Sequence, residues 1–264
     1  MQTLVLVHRP HSSLLTLNRP ERRNAISFEM IDEILRALDE CWEEQSKTGA
    51  RSLILTGAGS VFCAGMDIEA LRSLSRFGPA QNLSDSQRMS LLFKRLYEFP
   101  APTIAAVNGA AVAGGCGLAS VCDFTLAVPE AKFGYTEARI GFIPALVSVY
   151  LLRLVGEKRA RDLLLSARLI SAAEALAWGL IGEIVPADRL LPRAEELAEA
   201  LMRNSPSSLR ATKQLLRDLP VYSLDEALKL AVKANAAIRQ TPDYREGLAA
   251  FLEKRAPQWN KPQN

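Results

Sequence analysis

Between Ala101 and Cys122 the chain runs 22 positions without a charged residue, a length that raises the question of a membrane helix. Pro102, Asn108, Gly109, Gly114, Gly115 and Gly117 break that run. The interruptions fit a buried strand, a turn and a buried helix, as found at the centre of an α/β protein, and no membrane span is expected. Whatever the fold, this segment has to be covered on all sides.

The flanking sequence supplies the cover. Two short β-rich segments, Thr3 to Val7 and Ser13 to Leu17, precede a helical pattern from Ser27 to about Gln45. In that helix Ser27 is the expected N-cap, and Ile31, Ile34, Leu35 and Leu38 share one face. Arg51 to Thr56 reads as a strand ending at Gly57, and Ser84 to Phe99 as a helix with Met89, Leu92, Phe93 and Leu96 at helical spacing, stopped by Pro100 and Pro102. Thr103 to Val107 is the next strand, Gly115 to Val121 a buried helix, and Phe124 to Val128 a strand again. This alternation predicts an α/β architecture. After about Asp188 the pattern turns helical: Leu190 to Arg203, Pro206 to Leu219, Leu224 to Gln240 and Tyr244 to Lys254. The expected division is a core over 1–188 and a helical C-terminal domain over 189–264.

Several chemistries find no support. Of 264 residues, 32 are Lys or Arg and 29 Asp or Glu, so the net charge of +3 is small and a dedicated nucleic-acid binder is not expected. The four cysteines show neither CxxC nor Cys/His ligand spacing, so no disulfide framework and no metal site is expected, and a reducing cytoplasm is the expected compartment. Met1 to Pro10 has no basic region followed by a long apolar run, so no signal peptide is expected. His8 and His11, the two histidines, leave few candidates for His-dependent triads. Neither GxxxxGK[ST] nor GxSxG occurs. Gly57-Ala58-Gly59 and Gly115-Cys116-Gly117 place Phe62 and Ser120 where a dinucleotide fingerprint needs its third glycine.

A chemistry that needs few side chains remains. Phe62 to Asp67 and Asn108 to Gly117 are two small-residue turns, each after a strand and each leading into a helix. N–H groups at a helix start lack intrahelical partners, and small residues let a ligand reach them. Two such donors converging on one carbonyl oxygen would stabilise an enolate, and losing one typically costs about 3 to 4 kcal/mol. The same glycines would equally serve tight helix-on-strand packing.

At these residues the sequence resembles the crotonase, or enoyl-CoA hydratase/isomerase, family. The likeness runs in order through Asn18-Arg19-Pro20 with Asn24-Ala25, VFCAGMDI at 61–68, AAVNGAAVAGGCGLASVCD at 105–123, FGYTEARIGFIP at 133–144 and LAWGLIGEIV at 176–185. It implies a spiral of strand-strand-helix units with a helical C-terminal domain for oligomerisation and CoA contacts, a homotrimer or a hexamer made as a dimer of trimers, an acyl-CoA thioester substrate, and no cofactor beyond the coenzyme A carried by that substrate. Met66 and Gly114 match the oxyanion donors, Ala64 the backbone contact to adenine, and Glu137 the catalytic glutamate. Arg22, Arg23, Phe251 and Lys254 lie where relatives line the CoA nucleotide. Leu71, Phe77, Leu92 and Phe142 are the candidates for the acyl pocket.

Hydratases of the family hold water between two glutamates, and the second would fall at 117, which is Gly117 here. One glutamate suffices to shift a double bond, so the resemblance favours isomerisation. It leaves open hydration by one glutamate, with Gly117 giving room for a water or a bulkier acyl group. Gly117→Glu is then expected to increase hydration relative to isomerisation. Dehalogenase chemistry is not expected, because that branch of the family needs a nucleophilic aspartate at 145, which is Ala145 here. A non-catalytic acyl-CoA or RNA binding homologue, and thioester hydrolysis or C–C cleavage on the same scaffold, are the competing readings.

Overall fold

A computed structural model describes residues 1–48 and 52–259, and Arg51, the expected first residue of a strand, lies outside them. The chain opens with β1 (Leu4–His8), β2 (Ser13–Leu17) and α1 (Phe28–Thr48). Then follow β3 (Leu53–Gly57), β4 (Val61–Cys63), α2 (Ile68–Leu74) and α3 (Pro79–Tyr97). The charge-free segment supplies β5 (Thr103–Val107), β6 (Ala110–Val112) and α4 (Gly114–Ser120): the strand and the helix expected of it, with a short second strand inside the stretch expected as a turn. β7 (Phe124–Ala127), β8 (Lys132–Gly134), α5 (Ala145–Ser166), β9 (Ile170–Ser171), α6 (Ala172–Ala177) and β10 (Glu183–Ile184) come next. Four helices end the described chain: α7 (Leu190–Met202), α8 (Pro206–Asp218), α9 (Leu224–Ile238) and α10 (Pro242–Leu252).

The strands fall into two sheets. One has the order β1-β2-β3-β5-β7-β10 and is parallel except for the β1–β2 hairpin; the other has the order β4-β6-β8-β9, with β9 antiparallel to β8. From β3 to β8 the chain lays one strand in the large sheet and the next in the small one before each helix, as in β3-β4-α2 and β5-β6-α4, whereas β1 and β2 both lie in the large sheet. This is a spiral of strand-strand-helix units. Every residue of β5 is buried, as is usual for a parallel strand covered on both faces.

Local chemistry sets the helix starts. Ser27 Oγ accepts the Met30 N–H at 3.2 Å, confirming the expected N-cap of α1. α3 begins at Pro79, a turn ahead of the expected Ser84, because proline suits the first helical position and Gln81 Oε1 accepts the Gly78 N–H at 3.0 Å. α7 buries Leu190, Ala194 and Ala198 in the same cluster as the sheet residues. α8 is tied on by Lys213, whose Nζ donates to Ala101 O at 3.0 Å and to Asp123 Oδ2 at 2.6 Å; the same oxygen accepts the Thr103 N–H at 2.7 Å. No helix among the described residues is long and apolar enough to cross a membrane.

Candidate active site

The two small-residue turns meet face to face. β4 pairs with β6 in parallel, so Phe62–Asp67 and Ala113–Gly117 emerge side by side. Gly65 has φ +90°, and a Cβ there would lie 2.9 Å from Ala113 Cβ and 3.6 Å from Gly114 N. Only glycine combines that backbone conformation with that approach. Across the junction Ala113 holds φ 51° and ψ −124°, sparsely populated for a residue with a side chain. Two bonds fix it: its N–H donates to Gly134 O at 2.8 Å, and its carbonyl accepts the Gly117 N–H at 3.0 Å.

Met66 and Gly114 follow these two constrained residues. Ile26 pairs with Met66 in an isolated parallel bridge, its N–H donating to Gly65 O at 2.7 Å and its carbonyl accepting the Asp67 N–H at 2.9 Å. Those bonds use the groups on either side of the Met66 N–H and leave it out. Among the described residues neither the Met66 nor the Gly114 N–H finds an acceptor. Asp67 caps α2 by accepting the Glu69 N–H at 2.8 Å and pairs with Arg19 at 2.9 Å. Burial pushes the Asp67 carboxyl up, but the Glu69 N–H and the Arg19 guanidinium overcome this and hold it below the usual range.

Glu137 opens a short 3-10 turn, Glu137–Ile140, three residues after β8 ends at Gly134. The β6–β8 register, Val112 opposite Gly134, carries it alongside the start of α4. Fully buried Tyr135 locks that path: Ser120 Oγ donates to Cys116 O at 2.7 Å and lies 3.0 Å from the Tyr135 hydroxyl, which therefore donates to it. Glu137 Oε2 is buried and has no hydrogen-bond partner. Burial pushes the carboxyl above its ordinary value of 4.5, and a bond from its own backbone N–H offsets this only in part. An unpartnered buried acceptor is costly to keep, and the described residues hold one other, Ser52 Oγ.

All four cysteines are buried and unpaired, and burial lifts the Cys63 thiol to about 12 and the Cys116 thiol to about 11, which makes both inert as nucleophiles. No group of three His, Cys, Asp or Glu among the described residues is placed to hold a metal ion.

The chain matches the family model described as enoyl-CoA hydratase/isomerase over residues 13–262. It belongs to the enoyl-CoA hydratase/isomerase family. A putative enoyl-CoA hydratase of Thermus thermophilus is 47% identical over 256 residues, covering 97% of this chain and 100% of that one. The 1,2-epoxyphenylacetyl-CoA isomerase of Escherichia coli is 37% identical over 249 residues, 93% of each chain. Among solved structures, an enoyl-CoA hydratase of Bacillus anthracis superposes with a TM-score of 0.89 at 33% identity, covering 98% of this chain and 99% of that one. An enoyl-CoA hydratase of Shewanella pealeana gives 0.91 at 32% identity, with 97% and 96% covered. The spiral with its helical tail is thus the crotonase fold.

On this enoyl-CoA hydratase/isomerase scaffold the remaining candidates divide. Ala64 is joined to the Arg22–Arg23 segment, its N–H donating to Arg23 O at 3.1 Å, while both arginine side chains are exposed. Arg22 meets Glu69 at 3.3 Å in an exposed pair that contributes little. Phe251, 80% exposed, and Lys254 stand at the end of α10, and among the described residues no hydrogen bond or ion pair joins their side chains to the Ala64 turn. Of the acyl-pocket candidates, Leu92 is in the core, Phe77 stacks on Phe28 with centroids 6.2 Å apart, Leu71 is half-buried and Phe142 is exposed.

Gly117 does not leave the expected space. A Cβ there would fall 2.5 Å from Val147 Cγ1 and 2.9 Å from Phe93 Cε1. Helical spacing puts Phe93 on the buried face of α3, whereas no local pattern in the sequence singles out Val147.

Proposed function

We propose that the chain is an enoyl-CoA isomerase acting through proton transfer by Glu137. The thioester oxygen of a 3-enoyl-CoA sits between the Met66 and Gly114 N–H groups. The Glu137 carboxylate takes a proton from the α-carbon, the C–H electrons pass into a dienolate whose charge collects on that oxygen, and the same proton returns at the γ-carbon. One C–H bond breaks and another forms, with no water consumed. The observation that carries this reading is the buried Oε2 of Glu137 without a partner in the chain.

Hydration of 2-enoyl-CoA with Glu137 alone is the second reading, favoured by the hydratase name of the relative at 47% identity. Side-by-side assay of double-bond migration and hydration on matched 2-enoyl and 3-enoyl thioesters decides between them; faster hydration than migration would replace isomerase by hydratase. Further parts of the reading are CoA adenine contact at the Ala64 backbone, phosphate contact by Arg22 and Arg23, closure by Phe251 and Lys254 within a trimer or dimer of trimers, and a cytoplasmic location in keeping with four unpaired cysteines.

The raised carboxyl carries a prediction of its own. Proton removal needs Glu137 ionised, so kcat/KM should fall on the acid side with a midpoint above 4.5, the group's ordinary value. A pH–rate profile with its acid midpoint at or below that value would separate Glu137 from the proton-transfer step.

A further inference from the structure

We infer that Phe93 and Val147 are specificity-determining residues that fill the volume where a second carboxylate and its water would act, and so bias the site towards proton shuttling. This rests on the Glu137 reading above and adds a cause for the reaction chosen. Three helices converge at Gly117. It lies one turn into α4, Phe93 reaches it from α3 and Val147 from the first turn of α5. The Phe93 ring spans that turn, its Cζ lying 3.1 Å from the Cβ position of Gly117 and 4.0 Å from that of Gly114. The ring therefore lies against the same turn that presents the Gly114 N–H.

Both side chains are locked in place, Phe93 at 2% and Val147 at 4% exposure. Behind Phe93 stands Tyr150, with centroids 6.5 Å apart, and Tyr97 packs on Tyr150 at 5.1 Å. A held water needs two to four polar partners, and a phenyl ring and a valine methyl offer none. The glycine at 117 is thus part of a packed apolar wall, and Gly117→Glu alone cannot install the missing acid because its Cβ already meets Val147.

A double-mutant cycle reads the wall directly. Gly117→Ala in the otherwise unchanged protein should lower the melting temperature by about 3 °C or more, and in a Val147→Ala background it should lower it by less than half as much. The helix-propensity gain of alanine over glycine is the same in both backgrounds and cancels. Equal shifts in the two backgrounds would overturn the packing claim.

Function is read as the ratio of hydration to double-bond migration. Gly117→Glu with Val147→Ala should raise that ratio at least about tenfold over Gly117→Glu alone. Should the buried glutamate prevent folding, Val147→Ser, which offers a hydroxyl to a water at the same place, should raise it about threefold. A coupled cycle with an unchanged ratio in whichever of these variants folds would leave the wall as packing only and sink its role in specificity. Failure of the underlying reading looks different. If the unaltered protein neither turns over enoyl-CoA nor exchanges the α-proton of a saturated acyl-CoA in D2O, the Glu137 chemistry falls while the cycle keeps its coupling.

Discussion

Glu137→Gln is expected to reduce double-bond migration by about a thousandfold while leaving KM within a few-fold of the original value. Glutamine keeps the size and reach of the side chain but has no basic oxygen, so the α-proton loses its acceptor. General acid–base groups contribute roughly 10² to 10⁴ in rate, and in the proposed mechanism a single carboxylate takes and returns the proton. Binding should survive because the proposed holders of the thioester oxygen are backbone N–H groups that the substitution does not touch. Stability should move the other way. The folded-state pKa of Glu137 lies above its ordinary 4.5, so below that pH both states hold the proton and nothing is lost. As pH rises from 4.5 through the raised folded value, the unfolded chain ionises first and the native state loses stability. The variant is spared this loss, so its melting temperature relative to the unaltered protein should climb between pH 4 and 7. A variant that keeps more than a tenth of the activity would remove Glu137 from the mechanism. A melting difference that does not change with pH would contradict the raised carboxyl.

Much of this architecture could be read from residues alone, and what escaped did so for physical reasons. β1, β2, β3, β5 and β7 are apolar or β-branched runs of four or five residues bounded by turn residues, and each was expected within a residue or two of where it lies. β4, β6, β8, β9 and β10 have two or three residues each, too few to show a period. α5 was missed for the opposite reason. It buries Val147, Leu151, Val155 and Leu163 on one side but exposes Val149, Leu152, Leu154 and Leu165 on the other, so no polar face marks its period. Gly156 at φ 76° interrupts it as well. The two small-residue turns were legible as glycine-bearing stretches between a strand and a helix, although the same residues equally suit tight helix-on-strand packing. Glu137 was found only through its family-like surroundings, since Tyr-Thr-Glu-Ala-Arg has the look of a solvated turn and the burial of one carboxylate oxygen is a property of the assembled site. Gly117 shows the same limit from the other side. Its lack of a side chain was visible, whereas the two side chains filling its place come from helices 24 residues before it and 30 after it.

Gly114 and Gly115 are adjacent in sequence and should respond very unequally to alanine, which separates packing from donation as explanations for this glycine run. A Cβ on Gly115 would fall 2.2 Å from Cys63 O and 2.8 Å from Cys63 C, main-chain atoms at the end of β4 that are held by pairing to β6. That backbone cannot yield without separating α4 from β4, and with them the Ala113 and Gly65 turns. Gly115→Ala should therefore cost 3 kcal/mol or more, at or beyond the upper end of about 1 to 3 kcal/mol usual for overpacking, and should abolish activity in whatever remains folded. A Cβ on Gly114 would lie 3.2 Å from Ile26 Cδ1, the far end of a flexible side chain, and at an ordinary contact distance of 4.0 Å from Phe93 Cζ, so Gly114→Ala should cost less than about 1 kcal/mol. Its N–H survives the substitution, and the rate should stay within about tenfold, because removing an oxyanion donor outright costs about 3 to 4 kcal/mol. Chemical denaturation and turnover of both variants test this together. Comparable losses of stability in the two would mean that Gly114 is as tightly packed as its neighbour. A folded Gly114→Ala that is slowed a thousandfold would mean that the oxyanion sits where the new methyl group goes, and the donor would then have to be sought elsewhere on the turn.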